Sequence, residues 1–140
     1  MRSGAARNSV RRVINFATPE AELDIDDSLI DSLLRTQYPE FAGLPLGTRF
    51  EGWDNVTVRL GDDLAVRLPR RLTAAALATT ELDWFPRVSA QWSFPFPRPL
   101  HLGAPQAGFP WRWSIMTWLD GVEAADAPLS ARGAQDLGRA

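Results

Sequence analysis

Between residues 56 and 68 the chain alternates. Val56, Val58 and Leu60 are separated by Thr57 and Arg59, and Leu64, Val66 and Leu68 by Ala65 and Arg67. A period of two places the two sets on opposite faces of a pleated strand. Gly61-Asp62-Asp63 between the runs is a turn signal, so the pair reads as a β-hairpin. One face is apolar, and the other carries Arg67 beside the small Ala65. A two-residue turn at Asp62-Asp63 and a three-residue turn from Gly61 would bring different residues of the first strand beside Ala65, so the register stays open.

Elsewhere the period changes to three and four. Leu29, Ile30, Leu33, Leu34 and Tyr38 recur at helical spacing, with Asp26 or Asp27 suited to cap and Arg35 suited to the carboxyl end. Pro39 stops the run, which predicts a helix over 26–38. A second helix is expected over 73–85, capped by Thr73 and broken or restarted at Pro86, with an apolar stripe of Leu77, Trp84, Phe85 and Val88. Glu81 lies four residues from both Leu77 and Phe85, on that stripe. A carboxylate there needs a cation, because an unpaired buried charge costs several kcal/mol.

The remaining segments read as strands and turns. Residues 44–53 form a strand entering the loop 52–55. Residues 94–99 alternate Pro with Phe or Arg and are stiff and extended, leading into a strand over 100–103. A turn over 104–110 contains Pro105 and Gly108, and residues 111–118 form the last strand, rich in Trp and Ile. Ser130 caps the start of a helix over 130–140 with Leu137 on its apolar side. The fold class is α+β: a five-stranded antiparallel sheet with a packed helix and an extra N-terminal helix.

Composition narrows the chemistry. The 140 residues suffice for one domain with a real core, and 45% hydrophobic content with six Trp and seven Phe is globular. There is no Cys, hence no disulfide framework and no thiolate metal site. The one His, His101, lacks a carboxylate or His partner at ligand spacing, which argues against zinc and for a structural role. All fifteen basic residues are Arg, so any task usual to Lys falls to Arg. A net charge of −2 and a pI near 5.3 disfavour nucleic acid. No apolar run approaches the roughly 20 residues of a membrane span. The chain reads as soluble and cytoplasmic. Residues 1–18 hold four Arg and no acid, a composition shared with transit peptides, and their plain reading is a flexible extension. The expected organisation is an extension over 1–21, a lobe over 22–121, and a linker with the start of a further helix over 122–140.

Five words then recur in one order: Gly52-Trp53-Asp54-Asn55, Arg59-Leu60-Gly61-Asp62-Asp63, Val66-Arg67-Leu68-Pro69-Arg70, Glu81, and Trp118-Leu119-Asp120-Gly121. Across roughly residues 22–125 they resemble the amino-terminal, nucleotide-binding lobe of the aminoglycoside phosphotransferase family of protein-kinase-like small-molecule kinases. Ala65-Val66-Arg67 resembles the kinase Ala-x-Lys strand, with Arg in place of Lys. The resemblance implies that Arg67 orients the α- and β-phosphates of ATP or GTP and that Glu81 holds Arg67. It implies that Gly52, Trp53, Asp54 and Asn55 cover the phosphates, and that Ala65, Met116 and the backbones of Thr117 and Leu119 take the base. Mg²⁺ would arrive with the nucleotide.

The family's His-Gly-Asp catalytic loop, its downstream Asn and its later metal-binding Asp do not occur here: His101 is followed by Leu102-Gly103. No catalytic residue and no metal ligand is therefore assigned. The expected function is the nucleotide-binding lobe of a kinase that transfers the γ-phosphate to a small-molecule hydroxyl, inactive without a catalytic lobe. The acceptor would bind only with that lobe. The alternatives are a non-catalytic nucleotide-binding or protein-interaction module, and a structural remnant without a ligand. An uncovered face around Trp118 and Leu119 is expected to favour self-association.

Overall fold

The hairpin forms where the alternation places it. In a computed structural model that describes residues 19–106, 108–122 and 126–139, β2 (Asn55–Leu60) pairs antiparallel with β3 (Leu64–Pro69). Leu60 faces Leu64, Arg59 faces Ala65 and Thr57 faces Arg67. The turn therefore holds three residues, and Gly61 begins it with φ +61°, a left-handed conformation that a residue without Cβ takes at no steric cost. This settles the register that the sequence leaves open.

Around the hairpin the strands follow the order β1-β2-β3-β5-β4, all neighbours antiparallel. Here β1 is Leu46–Glu51, β4 is Pro99–Gly103 and β5 is Trp113–Thr117. β1 and β5 are shorter than the expected runs over 44–53 and 111–118, β4 begins one residue earlier than expected, and Trp111 and Trp118 lie just off the ends of β5. The expectation for residues 1–18 lies outside the described residues.

The outer face of the sheet carries Val56, Val58, Leu60, Val66, Leu68, Trp113 and Ile115, all buried in one core with Ile30, Leu33 and Leu34 of α1 (Asp27–Gln37). Asp26 caps α1: its carboxylate accepts from the Leu29 N–H at 2.8 Å and from the Ser28 hydroxyl. The Leu29 bond, and after it the Ser28 hydroxyl, hold that carboxyl below the usual carboxylate range. His101 lies 5.1 Å from both the Tyr38 and Phe41 rings, a packing role.

The inner face takes α2 (Leu72–Val88), which differs from expectation in three ways. It starts before Thr73, with Arg71 as an N-cap whose side chain caps nothing. The cap arrives from afar, since the Glu22 carboxylate accepts the Leu72 N–H while the Glu22 N–H bonds the Arg70 carbonyl. The helix also runs through Pro86, whose missing N–H falls in an exposed last turn. Finally, the buried side is Ala74, Ala75 and Leu82, while Leu77, Trp84 and Val88 face outward, with Leu77 63% exposed. Small side chains let the helix lie close to β3, and the bulky ones turn away. At its carboxyl end Phe85 meets Trp92 and Phe96, each at 5.5 Å, the anchor of the Pro-rich segment.

Arg70 and Arg71 follow β3 and fold back toward the β1–β2 turn. Arg70 donates to the Gly52 carbonyl at 2.9 Å and Arg71 to Asp54 at 2.6 Å. Past β5, Ser130 caps α3 (Ala131–Leu137) through the Gly133 N–H.

One glycine is essential to this packing. A Cβ on Gly103 of β4 would overlap the Trp113 indole, which is fully buried in the core. Gly103→Ala is expected to destabilise the chain by about 1–3 kcal/mol through overpacking. Urea denaturation is the measurement, and a variant as stable as the parent would show that the indole has room to move.

Candidate functional site

Arg67 sits at the centre of the inner face. Its strand position sets it opposite Thr57 on β2 and Ser114 on β5, both of the same face by the period of two. From there its guanidinium reaches α2 and donates to the Glu81 carboxylate at 2.6 Å. The two side chains are 27% and 40% exposed. Glu81 shares the inward side of the helix with Ala74, Ala78 and Phe85, at spacings of three, four and seven, which brings its carboxylate to the sheet edge of α2. The pairing expected from the sequence is present, although Leu77, which helped to suggest it, faces outward.

One donor of five is used on Glu81, and the planar fork retains others for a second anion. Next to it opens a cavity of about 260 Å³ lined by Thr57, Ala65, Arg67, Pro97, Met116, Thr117, Trp118 and Leu119. Its walls are largely apolar, and a cation stands among them. That combination suits a flat apolar ring with an anionic tail. Two segments that the resemblance assigns to the nucleotide thus converge: the strand around Ala65 and Arg67, and Met116, Thr117 and Leu119.

The backbone of Met116–Leu119, the segment that the resemblance makes a linker between two lobes, is partly committed. The Thr117 N–H bonds the Arg98 carbonyl at 2.9 Å, and its hydroxyl accepts the Arg98 N–H at 2.8 Å. Of the backbone groups of Thr117 expected to meet a base, the N–H is therefore taken by Arg98, the residue before β4, which narrows that expectation to the carbonyl.

Gly52, Trp53, Asp54 and Asn55 do not line this cavity. Their loop closes on itself, with the Gly52 N–H on the Asn55 carbonyl at 2.9 Å, and is clamped from behind by Arg70 and Arg71. Trp53 is 56% exposed. Asn55 alone approaches Arg67, in a small cleft under α2 with Ser114 and Arg112, where its side-chain oxygen is buried without a protein partner.

Three lining residues escaped sequence reasoning. Thr57 depends on the register, which the sequence leaves open. Pro97 stands in a segment read only as stiff. Trp118 carried a usable signal, since it lies two residues after Met116 and so shares its face.

Among the described residues no group of three or more His, Asp and Glu gathers to hold a metal, and no helix is long and apolar enough to cross a membrane.

The sheet order, the helix on its inner face and the cation–carboxylate pair between them define a kinase-like amino-terminal lobe. The profile of the APH phosphotransferase enzyme family matches residues 47–140, and the chain belongs to that family. Among solved structures it is similar to the GDP complex of aminoglycoside 2'-phosphotransferase-IIIa, with a TM-score of 0.64 at 16% identity over 71% of this chain and 33% of that one. A GDP and kanamycin complex of APH(2'')-IIIa gives a TM-score of 0.66 at 19% identity over 79% of this chain and 39% of that one. The chain thus spans between a third and two fifths of the length of these structures, and at such identities the likeness is one of fold. No curated protein matches the chain in sequence.

The Arg67–Glu81 pair is open to measurement. Because solvent reaches both side chains, a double-mutant cycle with Arg67→Met and Glu81→Gln is expected to return a coupling of about 0.5–1 kcal/mol. A coupling of zero would mean that the two side chains do not meet in solution.

Proposed function

We propose that this chain is the nucleotide-binding lobe of a kinase-like phosphotransferase that moves the γ-phosphate of ATP or GTP to a hydroxyl of a small molecule. The observation that carries the reading is the Arg67–Glu81 pair at 2.6 Å on the rim of an apolar cavity. In this reading Ala65, Met116 and Leu119 enclose the base, and the Thr117 carbonyl and Leu119 backbone meet its polar edge. Arg67 draws the α- and β-phosphates, and Glu81 fixes the direction of the guanidinium. The loop 52–55 acts from a distance by holding the hairpin's shape, with Asn55 as the member nearest the phosphates.

Phosphoryl transfer further needs a positioned hydroxyl and neutralisation of the developing charge, which Mg²⁺ supplies when bound with nucleotide. The described residues provide the binding half of that task. The family fold of the GDP and kanamycin complex supports a small hydroxylated acceptor, such as an aminoglycoside, held by a second lobe.

Titration of the chain with MgATP and MgGTP is expected to give saturable binding. Arg67→Met should weaken it roughly tenfold, the loss of one charge-assisted contact to phosphate. Equal binding by parent and variant would remove Arg67 from the site and the reading with it.

A second reading, a module that pairs with protein, draws on the apolar surface beyond β5: Leu119 is 40%, Val122 76%, Leu129 58% and Leu137 59% exposed. Self-association through these residues is the form we propose. Sedimentation at rising concentration should then show a dimer, and a monomer throughout would argue against it.

A further inference from the structure

Trp118 belongs to the linker, yet the structure fixes it more firmly than a linker residue requires. Its backbone N–H bonds the Asp63 carbonyl at 2.7 Å, and its indole N–H bonds Asp120 at 2.9 Å. The ring lies 5.8 Å from the Phe50 ring at an interplanar angle of 31°, and the Arg59 guanidinium stands 5.2 Å from its centroid. Phe50 and Arg59 project from the inner face of β1 and β2, so the indole reaches across that face from β5. It is half-buried and borders the cavity beside Ala65 and Met116. An aromatic ring held in place before a ligand arrives is a stacking surface with little ordering left to do.

We propose that the Trp118 indole is the wall on which the nucleobase stacks, and that it makes the site one for purine nucleotides without distinguishing adenine from guanine. Stacking reads the area of a π-face, which is larger for two fused rings than for one, and is blind to the substituents that separate the two purines. The inference rests on the nucleotide reading above and adds a specificity-determining residue that the recognised words leave without a role. A merely structural Trp118 would instead close the end of the hairpin against Phe50 and Arg59 and touch no ligand.

The test separates the base from the phosphates. In the full chain labelled with ¹⁵N, the Trp118 indole resonance is identified by its loss in Trp118→Phe. ADP and GDP should shift it, CDP should shift it less, and pyrophosphate should leave it in place. Trp118→Ala should weaken ADP and GDP roughly tenfold, as loss of one base–aromatic stack implies, with pyrophosphate affinity unchanged. Trp118→Phe, which keeps a ring, should retain most of the affinity and serves where the Ala variant folds poorly. Equal losses for ADP and pyrophosphate would mark a structural residue and overturn the inference. So would ADP binding that depends on Arg67 and ignores both Trp118 variants. A chain that takes neither ADP nor pyrophosphate would overturn the nucleotide reading and this inference together.

Discussion

A guanidinium held against a carboxylate at the centre of the inner face is the contact on which the lobe's geometry turns. Arg67 and Glu81 belong to different elements, β3 and α2, and meet at 2.6 Å. Both remain in partial contact with water, so solvent screens their attraction and the pair adds little to stability. Its consequence is positional. It ties α2 to β3 at one point, and it restrains a long side chain that would otherwise sample many rotamers beside the cavity. Arg suits this double duty better than Lys, because its fork can face a carboxylate with one nitrogen and a second anion with another.

The same property recurs wherever the chain must be tied. Arg49 donates to the Ile25 carbonyl and to Asp27, joining β1 to the lead-in of α1. Arg70 reaches the Gly52 carbonyl and Arg71 reaches Asp54, fastening the β1–β2 turn to the end of β3. Arg59 donates to the Asp62 carbonyl while facing Asp120 at 3.8 Å. In each case a planar cation links a loop to a strand or holds a turn in place. A chain whose basic residues are all Arg can use them as fasteners, and the sheet's loops are held by side chains as well as by backbone.

This explains which parts of the molecule could be read from its residues. The hairpin, α1 and the antiparallel sheet followed from periods of two and of three to four, because each has one face in the core and one outside it. The Arg67–Glu81 pair was legible through the family resemblance, which implies it, and through the need of a carboxylate on a packed helix for a cation. The limits of α2 were not legible, because Glu22, fifty positions before Leu72, supplies the cap. Its buried side was misjudged because close approach to β3 favours Ala74, Ala75 and Ala78, which carry no hydrophobic signal of note, over Leu77 and Trp84. The contacts of Arg70 and Arg71 leave no trace in the sequence, because their partners, Gly52 and Asp54, are near only once the hairpin has formed. In the site, Thr57 waited on the register, which three turn residues and a left-handed Gly61 decide.

The linker side of the cavity illustrates how an edge strand can shape a site without contributing a side chain. Strand β4 lies at the end of the sheet order, and Arg98 approaches Thr117 between two prolines that have no N–H to give. Arg98 therefore supplies the local backbone donor, and it goes to the Thr117 hydroxyl, while the Thr117 N–H is answered by the Arg98 carbonyl. In a regular antiparallel ladder the Arg98 N–H would go to the Thr117 carbonyl, but here it is taken by the hydroxyl of the same residue. That diversion leaves the carbonyl its capacity to accept. In the proposed reading that acceptor faces the polar edge of a base already stacked on Trp118, so a donor diverted at the edge strand becomes part of what recognises the ligand.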